Sequence, residues 1–172
     1  TAAVAAGSTL NVGRFAHGAG TRETVRIGLI GCGGRGSGAI QNALNASPQN
    51  EVVGLCDMFE DRLKFCRKTL ETKRKDQTKV TDETCFLGFD GYKQLLETDI
   101  DVVLLCTPPY FRPMQLRAAI EAGKHVFCEK PVGVDAPGVR SVLETSEMAR
   151  KKGLSIVSGL CWRYDNLVKD MV

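Results

Sequence analysis

Thr24–Asp57 reads TVRIGLIGCGGRGSGAIQNALNASPQNEVVGLCD, and this stretch decides the fold. Val25 to Ile30 read as a short buried strand. Gly31, Gly33 and Gly36 follow it with G-x-G-x-x-G spacing. Ala39, Ile40, Ala43 and Leu44 then recur as a helix packed on one face requires. A second apolar run, Val52 to Cys56, ends at Asp57, about 20 positions past the last glycine. Each part has a task in holding a dinucleotide. Gly31 turns the chain out of the strand, Gly33 lets backbone approach a diphosphate, and Gly36 lets helix and strand pack closely. Gly34 and Arg35 open the helix, whose free N–H groups meet phosphate charge. Asp57 is placed to accept hydrogen bonds from the adenosine ribose. Its carboxylate repels a 2′-phosphate, so NAD is favoured over NADP. The alternative is a sheet with a tight first turn and no cofactor.

Strands and helices alternate along the rest of the chain. A helix is expected from Phe59 to about Lys75, with Leu63, Cys66 or Arg67, and Leu70 inward. Arg62 within it is placed to reach over the adenine, or toward a 2′-phosphate if NADP were the cofactor. Cys85 to Phe89 read as a strand and Tyr92 to Leu96 as a brief helix. Asp101 to Cys106 form the unbroken apolar run of a strand covered on both faces. Thr107-Pro108-Pro109 stops it where such strands face a cofactor crevice, which makes Thr107 and Pro108 contact candidates. A plain proline-terminated loop is the other reading. Pro113 to Ala122 form a helix with Leu116, Ala119 and Ile120 inward, Pro113 in its first turn and Gly123 closing it. Lys124 to Cys128 form a strand, followed by Glu129-Lys130-Pro131. Ala136 to Lys152 form a long helix, with Val139, Val142, Leu143 and Ala149 expected inward. Leu154 to Ser158 form a last strand. The order predicts an α/β fold, a doubly wound parallel sheet in three layers.

Composition narrows the function. The chain has 172 residues, a formal charge of +3 and seven cysteines. That length allows one ordinary domain with a real core. The mild charge points to neither nucleic acid nor a membrane surface. Lysines and arginines crowd between Arg62 and Lys79, but Glu71 and Asp76 interrupt them and no stacking aromatics are interleaved. The cysteines lack a C-x-x-C pair, so they read as free thiols with no metal site and no disulfide framework. No apolar run of about 20 residues is present to span a bilayer. Residues 1–23 read as a flexible arm or the remnant of an export signal, which leaves a cytoplasmic or an exported location open.

With Glu129-Lys130-Pro131 the chain resembles a known family. VRIGLIGCGGRG at 25–36, Asp57, DVVLLCTPP at 101–109, EAGKHVFCEKPVG at 121–133 and GLCWRY at 159–164 are similar to the N-terminal domain of the Gfo/Idh/MocA oxidoreductases. The string around Glu129-Lys130-Pro131 is far more specific than the glycine fingerprint. The resemblance implies a cofactor domain over 24–165 and, at 166–172, the start of a connection to a second domain. That second domain holds substrate and often forms the subunit interface. The implied chemistry is hydride transfer between the nicotinamide and a sugar-like or cyclitol alcohol. It also implies that the 172 residues alone are inactive and that the parent enzyme is a homo-oligomer. By resemblance Lys130 lies near the substrate hydroxyl, Glu129 and Pro131 shape the cofactor pocket, and Trp162 and Arg163 approach the cofactor. Many relatives carry a histidine shortly after the T-P pair, where this chain has Pro109-Tyr110-Phe111-Arg112. A dinucleotide-binding protein without net dehydrogenase activity is the second reading, either a sensor or a glycosidase-like enzyme that recycles its NAD. A sheet domain used only for protein contacts is the third.

Overall fold

The computed structural model describes residues 24–171; the expected arm or export remnant at 1–23 lies outside the described residues. Six strands alternate with helices: β1 (Val25–Ile30), α1 (Gly34–Ala46), β2 (Asn50–Asp57), α2 (Glu60–Lys73), β3 (Cys85–Leu87), α3 (Gly91–Glu97), β4 (Val102–Leu105), α4 (Arg112–Glu121), β5 (His125–Cys128), α5 (Ala136–Lys152) and β6 (Ile156–Ser158). A 3₁₀ turn (Cys161–Tyr164) and the short α6 (Asn166–Asp170) follow. All strand pairs are parallel, in the order β3-β2-β1-β4-β5-β6. The expected doubly wound sheet is therefore present.

Side chains alternate between the two faces of the sheet, and each face builds its own core. Ile27, Leu29 and Leu104 pack with Ile40, Leu44 and Leu63 beneath α1 and α2. Ile30, Val103 and Leu105 pack with Leu95, Leu116 and Ile120 beneath α3 and α4. Parallel strands covered on both faces need such unbroken apolar runs. β2 departs from strict alternation. Ile27 pairs with Val52, but Gly28 pairs with Gly54, so Val53 is an extra residue against β1. A one-residue slip exchanges the faces of a strand. Val52 and Leu55 consequently share one core, and Asp57 takes the parity of Leu55 on the α1 side.

Element positions follow the sequence expectations, with ends shifted by at most two residues; β2 and α3 run longer than expected. In α2 the second inward position belongs to Cys66, not Arg67. α5 requires a correction. Val139 and Leu143 are exposed rather than inward. Thr145 and Ala149 are the buried positions, and Val142 and Met148 pack against the same core. Burial of Thr145 is tolerated because its hydroxyl donates to Ser141 O at 2.7 Å within the helix. A buried hydroxyl with a local partner avoids the desolvation cost that would otherwise keep it outside.

Candidate functional site

The chain leaves β1 toward β2 on one side and later returns to β4 on the other. Loops diverge at such a switch point, and a crevice opens beyond the carboxyl ends of the strands. Here it is a cavity of about 750 Å³. The glycine turn forms its floor. Gly31 has φ of +96°, and a Cβ there would lie 2.8 Å from the Cys106 carbonyl carbon. A Cβ on Gly36 would overlap the Gly31 carbonyl oxygen and lie 2.9 Å from its carbon. Only glycine permits that contact between α1 and the end of β1. At Gly33 the nearest atom to a built Cβ is the Arg62 guanidinium, 3.9 Å away, and at Gly34 nothing comes within 4 Å. Gly33 caps α1 with no side-chain hydrogen bond to the helix. An uncapped helix start beside open space fits a phosphate group.

Asp57 is buried at the end of β2. Its carboxylate accepts from the Cys32 amide at 2.6 Å and from the Phe59 amide at 2.9 Å. It thus ties the glycine turn to the β2–α2 turn. Each carboxylate oxygen can accept more than one hydrogen bond, so capacity remains for a ribose hydroxyl. The Arg62 guanidinium lies 4.9 Å from the centre of the Phe59 ring, a cation–π arrangement on the same wall. Cys32, inside the turn, is a buried thiol. Its interaction with the neighbouring Cys66 thiol, then burial, raise its pKa, and the Asp57 charge adds to the rise. Packing explains its presence better than reactivity does.

The opposite wall follows β4 and β5. Thr107 donates its hydroxyl to Gln115 Oε1 at 2.5 Å. Arg112, at the start of α4, is buried. Its Nε donates to Thr107 O at 2.8 Å, and its Nη1 donates to Glu129 O at 2.8 Å and Pro131 O at 2.5 Å. Glu129 is 4 % exposed. Its carboxylate accepts from Arg35 Nε at 2.6 Å and from the Lys130 amide at 3.2 Å. The Arg35–Glu129 pair therefore bridges the glycine turn and the Glu129-Lys130-Pro131 turn, whose Lys130–Pro131 peptide is cis.

Gly31, Gly33, Arg35, Gly36, Asp57 and Arg62 line the crevice, together with Thr107 and Pro108. Gly34 lies next to its lining on α1. Glu129 is joined to it through Arg35. Lys130 and Pro131 are exposed just beyond β5, outside the lining. Trp162 and Arg163 stand apart in the exposed 3₁₀ turn, with Trp162 75 % exposed. Sequence reasoning missed Phe89, Phe111, Met114, Gln115 and the bridging role of Arg112. Phe89 and Phe111 face each other across 6.0 Å at the crevice. Their signal was position: Phe89 follows the carboxyl end of β3 and Phe111 that of β4, on the same edge of the parallel sheet. Among the described residues, no group of three or more His, Cys, Asp or Glu is placed to hold a metal. No described helix is long and apolar enough to cross a membrane.

Fold and crevice define a nucleotide-binding α/β domain, and comparison with known proteins makes the class specific. Residues 25–159 match the family model of the Gfo/Idh/MocA proteins, an oxidoreductase family with an NAD-binding Rossmann fold. The chain belongs to that family, whose nucleotide is NAD. Among curated proteins it is similar to glycosyl hydrolase family 109 protein 1 of Bacteroides thetaiotaomicron, 33% identical over 150 residues. That match covers 86% of this chain and 29% of the relative, so the chain spans under a third of its relative's length. Among solved structures, scyllo-inositol dehydrogenase from Lactobacillus casei with bound NAD(H) and scyllo-inositol shares the fold. Its TM-score is 0.67 at 24% identity, over 84% of this chain and 38% of that one. A 3-ketoreductase from Actinomadura kijaniata in complex with NADP superposes with a TM-score of 0.65 at 27% identity, over 86% of this chain and 42% of that one.

Proposed function

We propose that the crevice holds NAD with its diphosphate on the start of α1, and that the whole protein uses it for hydride transfer at a carbinol carbon of a sugar-like or cyclitol substrate. The uncapped start of α1, opening beside Gly33 and Gly34, carries this reading. The backbone N–H groups there would bind the diphosphate. Asp57 would orient the adenosine ribose through its remaining acceptor capacity, with Arg62 over the adenine. The nicotinamide supplies the hydride acceptor when bound. Lys130 would donate a hydrogen bond to the substrate oxygen and stabilise its developing alkoxide character. A second domain would supply the acid/base group and the rest of the substrate pocket.

A specific observation supports a second reading, in which NAD is reduced and reoxidised within one turnover. Curated relatives 33% identical to this chain carry glycosyl hydrolase names. Both readings use the same crevice and differ in whether reduced nicotinamide leaves or returns its hydride. Turnover of the whole protein on a free alcohol and on an aryl glycoside separates them. Accumulating NADH with the alcohol supports the dehydrogenase. Aryl alcohol release without net NADH supports the recycling enzyme. Calorimetry on the chain tests the shared premise. Asp57→Ala is expected to weaken NAD by roughly tenfold, about 1.4 kcal/mol, and NADP by less. Equal losses for both nucleotides would remove the ribose role, and no NAD binding by the unaltered chain would remove the premise.

A further inference from the structure

We propose that Arg112 is a positioning residue: its guanidinium grips the Glu129-Lys130-Pro131 turn on both sides of Lys130 and so fixes where that lysine stands beyond the end of β5. The structural half of this inference stands on geometry; its catalytic half rests on the role proposed above for Lys130. Glu129 O and Pro131 O are the carbonyls of the residues before and after Lys130, and Arg112 Nη1 donates to both, at 2.8 and 2.5 Å. Nε of the same side chain donates to Thr107 O at 2.8 Å. One planar cation therefore joins the segment leaving β4 to the segment leaving β5.

The side-chain chemistry suits this task. A guanidinium presents five N–H donors in a rigid fork, so three carbonyls on two segments can be met at once. Hydrogen bonds with a charged donor are shorter and stronger than neutral ones. Arg112 is 6 % exposed, so little solvent competes for them. A lysine is a point charge on a flexible stem and cannot reproduce the fork. Packing nearby agrees. A Cβ on Gly133 would lie 3.6 Å from Pro113 Cγ, so the chain beyond the turn runs close against the first turn of α4. From the other wall the half-exposed Arg35 reaches the turn, through the Glu129 carboxylate. The buried Arg112 meets the backbone on both sides of Lys130 and is the firmer of the two restraints.

Hydrogen exchange followed by mass spectrometry, on the full chain and its Arg112→Lys and Arg112→Gln variants, tests the inference. Exchange across residues 129–133 is expected to rise by at least about tenfold in both variants, with the β1–α1 segment unchanged. Failure of the charge-conserving lysine to restore protection is the signature of the fork; full protection in Arg112→Lys, or unchanged exchange in both, overturns the proposal. In the whole protein, kcat and kcat/KM are expected to fall together by about tenfold or more, as for a contact made only in the transition state. Raised exchange with unchanged kcat would keep the grip on the turn and sink the role of Lys130. If both variants lose their fold, nitrogen-15 spectra of the unaltered chain decide. A slowly exchanging Arg112 Nε–H supports the grip, and one exchanging as fast as an exposed arginine overturns it.

Discussion

The two walls of the crevice are built by different means. The β1–α1–β2 wall is shaped by backbone: Gly31 and Gly36 leave no room for a Cβ, and Asp57 binds two main-chain amides. The β4–β5 wall is shaped by long side chains: Arg112 joins two strand ends and Arg35 reaches across to Glu129. The first wall needs the absence of atoms, and the second needs atoms in particular places. Each therefore fails in its own way when mutated.

Gly36→Ala is expected to do the most damage. The new Cβ overlaps the Gly31 carbonyl, and neither α1 nor the end of β1 can retreat without disturbing the sheet. Overpacking in a tight core costs about 1–3 kcal/mol or more, and the upper end is expected here. Denaturant unfolding should show the loss, with NAD binding abolished. Gly34→Ala is the matched control, because nothing lies within 4 Å of its would-be Cβ. It should be neutral or stabilise the helix by up to about 1 kcal/mol. Equal effects from the two substitutions would erase the distinction between the walls.

Buried thiols stand at the strand ends of both walls, and alkaline stability reads them out. Burial and then the Asp57 charge push the Cys56 thiol from 9.0 up to about 12. Burial also pushes Cys128 up, to about 11, but the Arg112 charge opposes the rise. Both folded pKa values exceed the unfolded one, so each thiol's stabilising contribution is complete below about pH 9 and is lost as pH rises toward the folded value. The slope is at most about 1.4 kcal/mol per pH unit for each thiol. Unfolding free energy should fall between pH 9 and 12, less steeply in Cys56→Ala; Cys128→Ala should flatten only the lower part of that window, to about 11. A flat profile in the unaltered chain would contradict this picture of both thiols.

The same difference decides what could be read from sequence. A glycine with no space for a side chain leaves a mark that needs no partner to interpret. The turn at Gly31 and the close contact at Gly36 were legible for that reason. Strand and helix order was legible from apolar periodicity, since both sheet faces are covered. Arg112 was not legible, because its meaning lies in carbonyls from two distant segments. The extra residue at Val53 was hidden too: a bulge changes pairing without changing composition. Phe89 and Phe111 read as ordinary aromatics until the sheet order brought their loops together.

The smallest expected effect concerns α5, where periodicity misled. Val139, Val142, Leu143 and Ala149 suggest one apolar stripe, yet they fall on two. Val142, Thr145 and Ala149 share the face turned to the sheet, while Leu143 is 63 % exposed. A helix with apolar residues on two faces gives no unique rotation, and here the sheet side went to a threonine that satisfies its hydroxyl internally. Leu143→Ser should therefore change the stability of this chain by less than about 0.5 kcal/mol, as for an ordinary surface substitution. Ala149→Ser places a polar group in the core and should cost about 1–3 kcal/mol unless the new hydroxyl finds a helix carbonyl, as Thr145 does. Parallel denaturant titrations measure both. A large loss from Leu143→Ser would mean that α5 sits rotated from the orientation described, with its packing on α4 redrawn accordingly.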